Sequence, residues 1–141
     1  MAIVKITGID EMFKNMDEFK SQVRVLMSEG VFEGCRLIQN DAKEGHHEGA
    51  HSVGRYQNRT GALTNSIDAK KPEIGFTHII GEVVAGMDYA ANVELGGTYK
   101  TKSGKTYRTR PYPFLFPALE KYSQEIVKML QDMIKQIKWV N

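Results

Sequence analysis

Apolar residues at Met12, Met16, Phe19, Val23 and Leu26 advance along the chain in steps of four and three, and Phe13 and Met27 widen the stripe. Residues so spaced share one side of a 3.6-residue turn, so the segment predicts an amphipathic helix. Asp10 precedes the run as a candidate N-cap, without the Glu or Gln three positions on that completes a capping box. The stripe resumes at Val31, Cys35 and Ile38 and reaches about Ala42. Gly30 and Gly34 interrupt it, each at a cost of roughly 1 kcal/mol relative to Ala. Two outcomes follow. A helix continuous from Asp10 to Ala42 would be about 50 Å long, whereas a compact domain of this size has a radius of gyration near ~14 Å. Part of it would then project or pack on a neighbour. Otherwise Gly30 ends or kinks the helix.

From 43 to 58 periodicity is lost and glycines punctuate the chain at Gly45, Gly49 and Gly54, which predicts a flexible Gly/His loop. A short helix or turn at Thr60–Ile67 leads towards a first strand. Phe76–Ala85 is β-rich, with Ile79, Ile80, Val83 and Val84 between Gly75 and Gly86. Tyr89–Leu95 predicts a strand or short helix. After Gly96-Gly97, the segment 99–111 is a polar hairpin arm turning at Ser103-Gly104. A last helix starts near Pro117, a proline suited to a first helical turn. Its seam is Leu119, Tyr122, Ile126, Met129, Met133 and Ile137, and Lys121, Lys128 and Lys135 recur every seven residues on a polar stripe. The expected fold is a single α+β domain over 1–141. It has a long N-terminal helix, a small antiparallel β-sheet with a projecting basic hairpin, and a long C-terminal helix.

Composition narrows the class without naming it. With 141 residues, 41% hydrophobic and 26% charged, the chain is ordinary globular material for one core. Nineteen Lys and Arg against seventeen Asp and Glu leave a net charge of +2, too mild to indicate a nucleic-acid or membrane partner by itself. No apolar run approaches the ~18 residues that span a bilayer, and the stretch from Met1 to Thr7 lacks the long apolar segment of a secretion signal. One cysteine, Cys35, cannot close an intramolecular disulfide, which suits synthesis in a reducing cytoplasm. Its helical setting reads as a buried small hydrophobe rather than a nucleophile.

His47-Glu48-Gly49-Ala50-His51 spells the H-E-x-x-H pattern, in which two histidines on one helical face bind zinc and the glutamate activates a metal-bound water. Glu73 lies at a spacing that would suit a third ligand, and Gly54 falls where the extended pattern has glycine. Gln57, however, occupies the place of its third histidine. Such chemistry needs a rigid, packed helix, and this stretch has three glycines and little to bury. The reading is a solvated loop, with no metal, no cofactor and no enzymatic role; a zinc-dependent hydrolase is the alternative. His78 reads as a strand histidine, and no phosphate-loop, dinucleotide or serine-nucleophile signature occurs.

The arm carries Lys100, Lys102, Lys105, Arg108 and Arg110 with no acid, interleaved with Tyr99, Tyr107 and Tyr112. Cations with aromatics grip phosphates or bases, so a nucleic-acid-binding module is a second alternative. They equally suit an acidic protein face. Between Asp10 and Glu44 there are eight acids and five bases, so an acidic helix and a basic arm would fit head-to-tail packing in a ring.

Three phrases then fall in order. Residues 59–67 read R-T-G-x-L-x-x-S-I; 89–98 read Y-A-x-x-V-E-x-G-T with one extra glycine; and 113–119 read P-F-L-x-P-A-L. From about Arg59 onward the chain resembles the head–tail joining, or neck and tail-completion, proteins of long-tailed bacteriophages. The resemblance implies a structural virion component at the head–tail interface, made in the host cytoplasm. It implies a homo-oligomeric ring, sixfold or twelvefold, that touches other neck, connector and tail proteins, has no membrane association, and makes at most weak nonspecific contact with DNA. Subunit or partner contacts are expected at Lys100, Lys102, Lys105, Arg108, Arg110, Tyr107 and Phe116. Structural roles are expected at Thr60, Gly61, Tyr89, Glu94, Pro113, Phe114 and Pro117. Thr60-Gly61 suits a turn capping the short helix. Tyr89 and Glu94 suit a sheet edge, with Arg59 or Arg110 as the glutamate's partner, and the prolines stiffen the entry to the last helix. Phe116 stands where a polar or basic residue is expected, which predicts a more apolar, more buried surface there.

Overall fold

The computed structural model describes residues 9–44, 61–75 and 77–137. Helix α1 spans Ile9–Glu44, α2 Ala62–Ser66, β1 Ile67–Ile74, β2 Ile79–Ala85, α3 Ala90–Leu95, β3 Gly97–Lys100, β4 Thr106–Thr109 and α4 Leu115–Lys135. The fold is α+β, with long helices first and last. The strands form two separate antiparallel pairs, β1–β2 and β3–β4.

Helix α1 runs unbroken through both interior glycines, over 36 residues, or about 54 Å. It is already helical at Ile9, before the Asp10 expected to cap it. The glycines mark where α4 comes closest. A Cβ on Gly30 would lie 2.6 Å from Leu130 Cδ2, and one on Gly34 would lie 2.9 Å from Ile126 Cγ2. Further along, Lys121 Nζ donates to Asp41 Oδ1 at 2.5 Å. As α1 is followed from 30 to 41 its partners fall from 133 to 121, so the two helices are antiparallel. Local helix propensity lost at the glycines is offset by contact that only a missing side chain permits.

The β1–β2 hairpin packs on α1 too. Gly81 of β2 crosses so near that a Cβ there would come within 2.6 Å of both Cys35 Sγ and Val31 Cγ1. Pairing runs from Ile67↔Ala85 to Ile74↔Ile79 and shifts by one between Lys70 and Glu73. Pro72, which has no N–H to give a ladder, sits in that bulge. Along β1, Ile67 and Ala69 are buried and their neighbours Asp68 and Lys70 exposed, the alternation of a one-sided strand. The Ala69 N–H donates to Gln39 Oε1 at 3.0 Å, so α1 satisfies one edge donor of β1.

The core draws on nearly every element: Ile38 and Ala42 of α1, Leu63 of α2, Ile67 of β1, Ala90 of α3, Phe114, and Ala118 of α4. Phe114, Leu63 and Ile67 are the largest fully buried side chains, each stabilising the fold by about 1.5–3 kcal/mol through burial. Among residues 14–44 of α1, every buried one lies at Gly30 or beyond. Gly30 already faces the last turns of α4, so roughly 25 Å of α1 runs on past that helix.

Candidate functional site

Helix α4 begins at a phenylalanine, Phe114, which has no side-chain acceptor for the helix's first N–H groups. The acceptor comes from α3. Glu94 Oε2 accepts from the N–H of Phe114 at 2.7 Å and of Leu115 at 3.0 Å, and Oε1 accepts from Phe116 at 2.8 Å. The next residue, Pro117, has no N–H, so every orphan donor of the first turn is accounted for. The carboxylate also sits against the positive end of the α4 dipole. The Tyr112 N–H donates to the Val93 carbonyl at 2.7 Å and holds the approach to the helix against α3. Glu94 thus caps a helix rather than a sheet edge. Arg110 is not among its partners, and Arg59 lies outside the described residues.

The other residues of the three phrases serve the same unit. Gly61 starts α2 with φ +72°, a conformation in which side chains are strained, and two residues later Leu63 enters the core. Tyr89 is the N-terminal flank of α3 and is exposed; the adjacent Ala90 is buried. Gly96 ends α3 with φ +69° and passes so close to Pro111 that a Cβ would lie 2.8 Å from its nitrogen. Pro113 precedes the fully buried Phe114. Phe116, expected to be more buried, is 59% exposed. It points away because the same turn already commits Phe114 and Ala118 to the core. Leu119 also leaves the expected seam and is exposed. With Phe116, Val127 and Ile134 it forms an apolar line on α4 at steps of three, eight and seven residues, which return to one side of the helix.

The arm stands apart from this core. Its strands pair Gly97↔Thr109, Thr98↔Arg108, Tyr99↔Tyr107 and Lys100↔Thr106. Thr101 and Lys105 close the turn: Gly104 N–H donates to the Thr101 carbonyl at 2.9 Å, and Gly104 takes φ +82°. That is a type I turn completed by a left-handed glycine, a common three-residue hairpin loop. Tyr99 and Tyr107 stack with ring centroids 5.6 Å apart. Lys100, Lys102, Lys105, Arg108 and Arg110 are all exposed, and none has a carboxylate within ion-pair distance among the described residues. At the base of the arm a cleft of about 600 Å³ is lined by Leu95, Gly96, Gly97, Thr98, Arg108, Thr109, Arg110 and Pro111.

The zinc pattern His47, Glu48 and His51, with Thr60, lies outside the described residues. Glu73 is on β1, and among the described residues no three His, Cys, Asp or Glu are grouped to hold a metal ion. His78 is exposed just before β2. Cys35, on α1, is buried against Gly81 of β2, and burial pushes its thiol pKa up, away from the reactive thiolate. No helix of the described residues is long and apolar enough to cross a membrane. Sequence reasoning missed the reach of Glu94 to α4 and the exposed line through Val127 and Ile134. The signal for the first was a helix start, P-F-L-F-P, with no local capping side chain. Compared with family models, with curated proteins and with solved structures, the chain matches none.

Proposed function

We propose that this chain is a structural subunit of the neck of a long-tailed bacteriophage, joining head connector to tail as one copy in a sixfold or twelvefold ring. It is made in the host cytoplasm, takes its place at the head–tail interface, and acts by holding neighbours rather than by catalysis, without a cofactor. One observation carries the reading. The three phrases that resemble neck proteins, far apart in sequence, converge on a single packed unit through Leu63, Ile67, Ala90, Glu94, Phe114 and Ala118. Residues so used build a shape, and shape is what a joining protein presents. Two surfaces support the assignment. The exposed apolar line of Phe116, Leu119, Val127 and Ile134 suits burial against another protein. The stretch of α1 that outruns α4 offers a second lever arm for repeated contacts in a closed ring.

Native mass spectrometry of the full chain tests this. A metal-free oligomer of six or twelve is expected, reduced to monomer by Val127→Glu with Ile134→Glu. A monomer carrying one zinc per chain would overturn the reading in favour of metal chemistry at His47 and His51.

A further inference from the structure

We propose that the β3–β4 arm is a binding surface for the phosphate backbone of duplex DNA. The inference is independent of ring formation and rests on the arm's chemistry and geometry. From Gly97 to Arg110 the arm contains five Lys or Arg, five Ser or Thr, two Tyr and two Gly, and nothing else. Apart from glycine, these are the side-chain types that hold phosphate oxygens. The core of a protein interface, by contrast, is poor in lysine and built around apolar anchors, and the arm has three lysines and no aliphatic residue.

The register sorts these groups. Paired residues share a face, so Thr98 and Arg108 lie with Lys100 and Thr106 on one side of the ribbon. Two positions beyond Arg108, Arg110 continues that series and joins Arg108 in lining the cleft at the base. Alternate residues on a strand are about 6.8 Å apart, so this side presents cations and hydroxyls in a row. The opposite side holds Tyr99 and Tyr107, and each ring gives one face to the other. That pairing stiffens the ribbon and halves the ring surface open to unstacked bases, which favours duplex backbone over single strands. Lys102 and Lys105 extend the charge to the tip.

The acidic helix of a second copy is the rival occupant. Its acids are already interleaved with bases: Asp17 lies 4.0 Å from Lys20 and Glu33 lies 3.9 Å from Arg36. The arm's cations have no such internal compensation, so a polyanion is the better electrostatic complement.

The test is fluorescence anisotropy with a labelled 30-base-pair duplex of mixed sequence, using the full chain from 50 to 200 mM salt. Four or so neutralised phosphates predict a slope of log affinity against log salt of about −4, or a loss of about 200-fold over that range. Lys100→Glu with Arg108→Glu is expected to weaken binding at least tenfold and flatten the slope by about 2. Lys102→Glu with Lys105→Glu, at the tip, provides a second arm variant with a smaller loss. Lys14→Glu with Lys128→Glu changes the net charge equally from outside the arm and is expected to leave affinity within about twofold. Any of four results would overturn the proposal. These are no binding at 50 mM salt, equal losses in arm and control variants, tighter binding of a thymidine 30-mer than of the duplex, or arm variants that keep DNA affinity and lose self-assembly. The last would place a second copy on the arm. The subunit mass is read separately, so the ring reading and the arm assignment fail separately.

Discussion

Glu94 shows how one side chain can start a helix twenty residues away. Its two oxygens take three backbone donors, two of them in a partly buried place where they would otherwise be orphaned, and hydrogen bonds to a charged acceptor are among the stronger ones. Glu94→Ala is expected to destabilise the fold by about 2 kcal/mol in urea denaturation, with Glu94→Gln intermediate because its amide keeps one acceptor oxygen. The glycines of α1 separate two effects usually confounded. Alanine gains about 1 kcal/mol of helix propensity at either position. At Gly34 the new methyl meets the branched Ile126 at 2.9 Å, and at Gly30 it meets the far ends of Leu130 and Met133. Gly34→Ala is therefore expected to lose about 1–2 kcal/mol net, whereas Gly30→Ala should come out near neutral as those flexible ends move aside. Equal thermal shifts for the two would contradict this account of the close approach.

At the scale of elements, the pairing of α1 with α4 includes one buried acid. Asp41 is 5% exposed and accepts from Lys121 Nζ, and this hydrogen bond raises the Lys121 pKa above its ordinary value of 10.5. The folded protein holds that proton more tightly than the unfolded chain does. The stability it contributes is therefore complete below about pH 10.5 and is lost as pH rises through the raised value. Melting followed from pH 8 to 12 should show an alkaline decline that is shallower in Lys121→Met. The arm behaves oppositely, because its strands are exposed and pair with each other rather than with the core. Replacing 98–108 by a short glycine turn should leave the denaturation midpoint within about 0.5 kcal/mol of the parent, as expected for surface changes away from packed features.

For the whole molecule, the core is small and shared, with one or two buried residues from each of several elements, while an apolar line along α4 remains exposed. In the ring proposed above, such a chain would gain stability from its neighbours as well as from its own interior. Its apparent melting temperature should therefore rise with protein concentration across the micromolar range, and Val127→Glu with Ile134→Glu should abolish that dependence. A concentration-independent melt for the parent would count against self-association through α4.

Both long helices, the short helix after Gly61 and the hairpin turning at Gly104 were legible in the order of residues. Periodicity and left-handed glycine turns are local properties of the backbone. The separation of the strands into two ribbons was not, and neither was the fate of Gly30 and Gly34, whose local cost is visible in the chain while the compensation lies about ninety to a hundred residues on, in α4. The same holds for Glu94, Phe116 and Leu119. A lone acid in an apolar phrase announces that it needs a partner, but which donors meet it depends on how α3 docks against α4. A helix with apolar residues around about half its girth does not say which of them its neighbours will cover. Sequence by itself determined the two long helical segments, the hairpin and the basic character of the arm, because these follow from side-chain chemistry at fixed spacing. Only the tertiary structure decided which glycines are contacts, which acid is a cap and which apolar line faces outward, because each depends on groups brought together from distant parts of the chain.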